Sequence, residues 1–390
     1  MQKNQFLGYF DYAASTPCDK RVLEKILPFF SDFYGNPSNT SGINKESVKA
    51  IEKARIQVSE LIKCLPQEIY WTSGSTESNN IALQGVCMKM RENGKFGHII
   101  TSKLEHKSVL NTIKHLEKQG FRVTYLKPDS IGVITRDMVA KAIQEDTFMI
   151  SIMYANNETG VINEIEQISA FVKENNPSIL IHCDATQYFG RYKLDMNKIG
   201  IDMMSFSGHK IYGPKGVGGL YIRSQHTFNR ISSITKGGGQ EDGIRPGTLN
   251  TCGIVGLGAA AQLCLEEQDE YYNKILEFQA LFESGLLNYL PNFTINGRFA
   301  VRVPHITSLT FHELVEDKLI DKFPNIVISS GAACDSNDLT PSHVLRSLNL
   351  NNKDIKNTLR ISFGRTTTNE EILNLINYFR EIHGRILQIR

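Results

Sequence analysis

From about Lys49 to Asp202, short runs of β-branched and apolar residues alternate with stretches in which apolar residues recur every three or four positions. The short runs predict strands at Glu68–Thr72, His98–Ser102, Arg122–Leu126, Phe148–Tyr154, Ile179–Asp184 and Met203–Ser207. The stretches between them predict helices, among them Ser47–Lys63, Lys107–Gln119 and Ile165–Asn175. Strands alternating with helices imply a parallel sheet covered on both faces, and the apolar run from Phe148 to Met153 suits a strand buried on both sides. After Gly218–Ile222 the alternation stops. A long helical pattern from about Cys252 to Leu290 ends at Pro291, followed by strand-like runs at Thr307–Phe311, Ile326–Ser329 and Thr358–Phe363 and a last helix from Asn369. This second part predicts a smaller α+β domain, with the boundary inside or beside the long helix.

The bulk properties narrow the class without naming a chemistry. The length of 390 residues suits two domains, and 41% hydrophobic with 22% charged residues is ordinary for a globular chain. A net charge of +2, with Lys and Arg scattered, gives no reason to expect nucleic-acid binding. Met1–Tyr12 lacks a basic stretch followed by an apolar run, so no secretory signal is expected, and no segment has the length and apolarity of a membrane span. The seven cysteines form an odd set without a CxxC pair, which fits neither a disulfide framework nor a zinc site and suggests a reducing cytoplasm.

Candidate chemistry gathers at the predicted carboxyl ends of strands, where open α/β sheets bind ligands. Ser207-Gly208-His209-Lys210 offers a lysine able to form a Schiff base, though a lysine after a strand is more often a surface residue. Asp184 either pairs with the ring nitrogen of pyridoxal 5′-phosphate (PLP) or caps a following helix; Gln187 is placed to donate to the ring oxygen. Thr72–Glu77, with Ser75 and Thr76, presents donors for a phosphate or, equally well, a helix cap. His106 is either a ring-stacking proton carrier or a helix-start histidine, and Asn156-Asn157 either a site element or a turn.

Taken together these segments resemble a family. TSGSTESNN (Thr72–Asn80), SKLEHKSVL (Ser102–Leu110), NNETG (Asn156–Gly160), DATQ (Asp184–Gln187) and SGHKIYGPKG (Ser207–Gly216) are similar to segments of the cysteine desulfurases. So are DYAAST (Asp11–Thr16), YGNPS (Tyr34–Ser38), GGGQEDGIRPGT (Gly237–Thr248), SSGAAC (Ser329–Cys334) and LRISFGR (Leu359–Arg365). These are dimeric fold-type I PLP enzymes of the class V aminotransferase group. The resemblance implies a large PLP-binding α/β domain over residues 18–262, with a mostly parallel sheet. It implies a small α+β domain from residues 1–17 and 263–390 that carries a catalytic cysteine loop.

The resemblance also implies roles. Lys210 holds the cofactor and serves as base, Asp184 partners the ring nitrogen, Gln187 the ring oxygen, and His106 stacks on the ring and takes part in catalysis. Ser75, Thr76, Ser207 and His209 hold the phosphate, with Thr248 reaching it from the other subunit of a homodimer; Asn157 borders cofactor and substrate. Arg360 and Asn157, with Asn36, bind the substrate, L-cysteine. Cys334 receives the sulfur as a persulfide and passes it to an acceptor protein whose identity the residues do not reveal. Where the family usually has a histidine after GNPS, this chain has Ser41, and Gln240 stands where many members have another histidine. Two rival readings are a selenocysteine lyase of the same fold and a non-catalytic sulfur-pathway adaptor; a nicotinamide dehydrogenase is disfavoured, because no GxGxxG opens the first βα unit.

Overall fold

The computed structural model describes residues 8–39, 41–42, 44–312, 319–330 and 341–388. Strand β1 (Gly8–Tyr9) leads to α1 (Lys20–Ile26), the single-turn α2 (Pro28–Ser31) and α3 (Asn44–Ile62). Strands and helices then alternate: β2 (Ile69–Thr72), α4 (Ser75–Glu92), β3 (His98–Ser102), α5 (Lys107–Lys118), β4 (Arg122–Leu126), α6 (Arg136–Ala142), β5 (Thr147–Ser151), α7 (Ile165–Asn175) and β6 (Leu180–Asp184). Next come β7 (Met203–Ser207), β8 (Gly218–Ile222), the short α8 (Ser224–Phe228) and the long α9 (Thr251–Tyr289). The last part holds β9 (Phe293–Ile295), β10 (Ile306–Phe311), β11 (Ile326–Val327), β12 (Ser329–Ser330), α10 (His343–Ser347), α11 (Asn352–Lys356), β13 (Thr358–Ser362) and α12 (Asn369–Gln388).

The large sheet has seven strands in the order β2-β8-β7-β6-β5-β3-β4. Five run parallel through the centre and far edge, while β8 is antiparallel to both its neighbours, β2 and β7. Consecutive residues of a strand face opposite sides, and this sheet uses both sides. Ile99, Met149, Leu180 and Met203 pack under α4 and α5 with Ile81, Leu83, Val109 and Ile113. Their neighbours Ile100, Ile150, Ile181 and Met204 pack against α3, α7 and the first half of α9. Each such buried side chain contributes about 2 kcal/mol relative to exposure. The helices α3 and α9 meet closely: a Cβ on Gly258 would lie 2.5 Å from the Cα of Ala54.

A four-stranded sheet, β12-β13-β10-β9, organises a second core. Its members include Phe10 and Tyr12 beside β1, Leu309, Ile361, Phe363, Phe379 of α12, and the second half of α9 through Tyr271, Ile275, Phe278 and Phe282. The 39 residues of α9 thus cross from one core to the other between Cys264 and Tyr271. The run expected as one strand, Ile326–Ser329, divides: β11 pairs in parallel with β1, while β12 pairs with β13. A run of apolar residues reveals strand character but not where the chain changes partner. The strand expected at Phe148–Tyr154 starts one residue earlier and ends at Ser151, although Ile152 and Tyr154 N–H still bond to the His182 and Asp184 carbonyls of β6.

Candidate active site

In direction, β2, β3, β5, β6 and β7 agree, so their carboxyl ends share one edge of the large sheet. Below that edge lies a cavity of about 600 Å³. Ser75, Thr76, His106, Asn157, Asp184, Gln187, Ser207, His209, Lys210 and Arg360 all line it. Asn36, expected at the substrate, does not; Thr248, expected at the phosphate of a second copy, is not among them either. Asn36 is exposed and its side-chain oxygen accepts from Ser38 N–H, and Thr248 is exposed on a loop away from the cavity. Cys334 lies outside the described residues; the motif that carries it enters them only as Ser329 and Ser330 of β12.

The turn after β2 is built for an anion. Gly74 takes φ +150°, which L side chains rarely adopt, and as the residue before α4 it has no side chain to cap the helix. The first-turn N–H groups are therefore left facing a cavity wall of Ser73, Gly74, Ser75 and Thr76, at the positive end of an 18-residue helix. Glu77 folds back instead to accept from Ser73 N–H and from Arg245 Nε. Gly218 completes the turn's support, since a Cβ there would meet the Cα of Gly74 at 2.6 Å.

Asp184, buried at the end of β6, receives Asn79 Nδ2 at 2.9 Å and Thr186 N–H at 3.0 Å, with the Thr186 hydroxyl also donating. A turn, not a helix, follows it, so its carboxylate serves no helix cap. Asn79 donates also to Ser108 Oγ at 2.9 Å, and Ser108 Oγ lies 2.8 Å from His106 Nδ1. His106 is the N-cap of α5: Nδ1 accepts from Ser108 N–H, which leaves the proton of the neutral ring on Nε2. The cap and the cavity-lining role coexist in one side chain.

Lys210 Nζ donates to the carbonyls of Ala13 and Ala14 at 2.7 and 2.6 Å, and Gln187 Nε2 donates to Ala13 O at 2.9 Å. Buried Arg191 holds the lysine from behind, donating to Lys210 O and Tyr12 O. Burial pushes His209 down to about 4, helped by Lys210, Lys215 and Arg191, so it is neutral at pH 7. Across the cavity, Arg360 donates to Asn157 O (2.8 Å), Asp11 Oδ1 (2.7 Å) and Ser329 Oγ (2.9 Å), while its buried Nε has no partner among the described residues.

Asn79, Ser108, Arg191, Asp11 and Ser329 were given no role from sequence. One signal for Asn79 existed: it shares the buried face of α4 with Leu83 and Val86, a lone amide on an apolar stripe. Asp11 and Arg360 meet only through the second core, and nothing local announces that.

The class-V aminotransferase family model matches residues 8–375. The chain is 44% identical over 369 residues to a mitosomal cysteine desulfurase of Trachipleistophora hominis, covering 93% of this chain and 83% of that one. It is 42% identical over 367 residues to the cysteine desulfurase IscS of Stutzerimonas stutzeri, covering 93% and 89%. The chain belongs to the cysteine desulfurases. Among solved structures, this desulfurase matches a NifS-like protein with TM-score 0.86 and 35% identity, over 96% of this chain and 98% of that one. It also matches SspA in complex with cysteine, with TM-score 0.81 and 39% identity, over 91% and 98%. Desulfurases of this family use PLP, and the cavity fits it: an uncapped helix start suits the phosphate, a buried carboxylate the ring nitrogen, and a primary amine the aldehyde. Among the described residues, no cluster of metal-binding side chains occurs and no helix is long and apolar enough to cross a membrane.

Proposed function

We propose that this desulfurase takes sulfur from L-cysteine, releases L-alanine, and carries the sulfur as a persulfide on Cys334 to an acceptor protein. The observation that carries the reading is the convergence of Lys210, Asp184, His106 and Arg360, from four separate segments, on one cavity. PLP bound there supplies an electron sink that acidifies the substrate Cα–H.

The side chains divide the remaining work. Lys210 attaches the cofactor and, once released, moves the Cα proton. Asp184, steadied by Asn79 and Thr186, keeps the ring nitrogen protonated. His106 covers the ring face and takes part in proton movement. Ser75, Thr76, Ser207, His209 and the first-turn N–H groups of α4 hold the phosphate. Gln187 Nε2, which donates one proton to the Ala13 carbonyl, has a second for the ring oxygen. Arg360, with Asn157 beside it, receives the substrate carboxylate through its two-pronged guanidinium.

Sulfur transfer then requires a thiolate. Cys18, Cys64, Cys87, Cys183, Cys252 and Cys264 all have thiols pushed above the ordinary value, with burial the largest cause in each. None of these is poised as a nucleophile, which supports Cys334. Ser329 is bonded to Arg360, and Cys334 follows it by five residues, a tether of at most about 18 Å. As the Cys334 sulfur bonds to the substrate sulfur, the substrate Cβ–S bond breaks. Its electron pair stays on the three-carbon fragment, which takes a proton and leaves as alanine.

The test is the Cys334→Ser variant. It is expected to keep its colour and bind L-cysteine, yet release almost no alanine; mass spectrometry of the wild type should find added sulfur on the Cys334 peptide. Sulfur mainly on another cysteine, or undiminished alanine from the variant, overturns the assignment. We also place Thr248 at the phosphate of a second copy in a homodimer, which its exposure on its own chain allows. Full cofactor content in a monomer, measured by light scattering, contradicts that.

A further inference from the structure

Behind Gln187, on the side away from the cavity, lies a buried polar chain that the proposed reaction does not use. His305 is fully buried, Gln187 and Tyr192 nearly so, among packed apolar residues that include Ala13, Ala155, Val303 and Ile306. Tyr192 Oη lies 2.6 Å from His305 Nδ1, and His305 Nε2 lies 3.2 Å from Gln187 Oε1. Gln187 Nε2 then donates to Ala13 O at 2.9 Å.

Hydrogen-bond direction along this chain follows from its Ala13 end. A backbone carbonyl only accepts, so the amide nitrogen of Gln187 must face Ala13 and its oxygen must face His305. An amide oxygen also only accepts, so His305 carries its proton on Nε2 and its bare Nδ1 accepts from the Tyr192 hydroxyl. The ring stays neutral: burial holds its pKa well below the ordinary value, and the charged groups facing it, Arg191, Arg360 and Lys210, are cations that push the same way. Only one ring proton is then available, and every link has one sense.

We propose that His305 is a positioning residue that locks the Gln187 amide with its NH₂ toward the cofactor ring oxygen, with the Tyr192 hydroxyl donating to the bare Nδ1 of that His305 tautomer. This rests on the reading above that Gln187 meets that oxygen. Without the lock, the amide is free to turn its own oxygen toward the ring oxygen, where two acceptors repel. The lock also ties the cofactor to the second sheet, because His305 immediately precedes β10 while Gln187 and Tyr192 follow β6.

The readout is the pH midpoint of the bound cofactor's visible absorption band, measured in the PLP-loaded wild type, Gln187→Ala, His305→Ala, the double variant and Tyr192→Phe. A donor at the ring oxygen stabilises its ionised form, so losing the donor raises the midpoint. Gln187→Ala and His305→Ala are each expected to raise it, by about one pH unit. The double variant should go no higher than Gln187→Ala alone, because His305 acts through the amide. Tyr192→Phe, which keeps the ring packing, should move it less in the same direction, and it carries the test if His305→Ala does not fold or load.

The outcomes separate. A midpoint moved by Gln187→Ala but not by His305→Ala or Tyr192→Phe overturns the positioning role and leaves the Gln187 reading standing. A double variant that adds the two shifts also overturns it. An unmoved midpoint in Gln187→Ala overturns the underlying reading itself.

Discussion

On the cavity wall made by the seven-stranded sheet, His106, Asp184 and Lys210 each lie at the end of a strand or within a few residues of it, and Thr76 opens the helix that follows β2. On the opposite wall, Arg360 meets Asp11 across 349 positions of chain and Ser329 across 31. The first wall takes its geometry from the sheet ladder, with each side chain held a short distance from a hydrogen-bonded strand. The second exists only because β13, β12 and the segment after β1 dock on the second core. In the proposed function the first wall holds the cofactor and the second the substrate carboxylate. Cofactor retention and substrate recognition should therefore fail separately.

The largest effect is expected on the sheet wall. Lys210→Ala should abolish alanine production, while the phosphate turn and Asp184 allow the cofactor to bind without covalent attachment. Near-normal turnover would break the assignment of both the residue and the wall. Asp184→Ala should lower turnover by at least about a hundredfold, with cofactor occupancy measured alongside.

Next comes the opposite wall. Arg360→Lys keeps a cation against Asp11 but loses the guanidinium fork. It should raise the KM for L-cysteine by about ten- to a hundredfold, the worth of a charge-assisted bond, with the cofactor spectrum unchanged. Loss of cofactor in this variant would show that the walls are not independent.

A substitution in the second core sharpens the point. Phe363 is fully buried beside β13 and touches the rings of Phe10, Phe278 and Phe282. Phe363→Ala should cost about 3–5 kcal/mol in chemical denaturation. At temperatures where the chain stays folded, KM should rise before cofactor content falls, because Arg360 and Ser329 lose their backing first.

The smallest expected effect concerns buried ionisable groups under the sheet wall. Burial pushes Glu105 up to about 8, against hydrogen bonds from Ser102 and Met153 N–H that pull it down. Between its ordinary 4.5 and about 8 it is protonated when folded and ionised when unfolded. Its contribution is therefore complete below about pH 4.5 and lost as the pH rises toward 8. His209 goes the other way: neutral when folded down to about 4, charged when unfolded below 6.5, it costs stability as the pH falls through that window. Burial shifts His182 in the same direction, with Asp184 opposing. Denaturation midpoints of the apoprotein should fall toward both pH extremes, and Glu105→Gln should lessen the alkaline limb alone, to which Glu158, pushed up by burial to about 7, also contributes. An unaltered alkaline limb would mean that Glu105 is ionised in the folded chain.

What was legible in the sequence was local. The spacing of Val109, Ile113 and Leu116 predicts α5, the run into Asp184 predicts β6, and SGHK after Ser205-Phe206 places Lys210 on a turn at a strand end. In these cases the residues that decide the conformation are covalent neighbours, so periodicity and turn chemistry speak directly. Sequence alone also offered Thr72–Glu77 as a phosphate turn or a helix cap; only the structure shows that no side chain caps the first turn of α4.

The tertiary structure decided the rest. It set β8 antiparallel between β2 and β7, split the Ile326–Ser329 run between two sheets, and kept Asn36 off the cavity. It brought Asp11 to Arg360 and His305 to Gln187, pairs 349 and 118 positions apart. Such contacts leave no periodic trace, because neither partner's neighbours in the chain need to know of the other. They form when two separately packed cores close on each other, and burial then favours a partner for most polar groups in the seam.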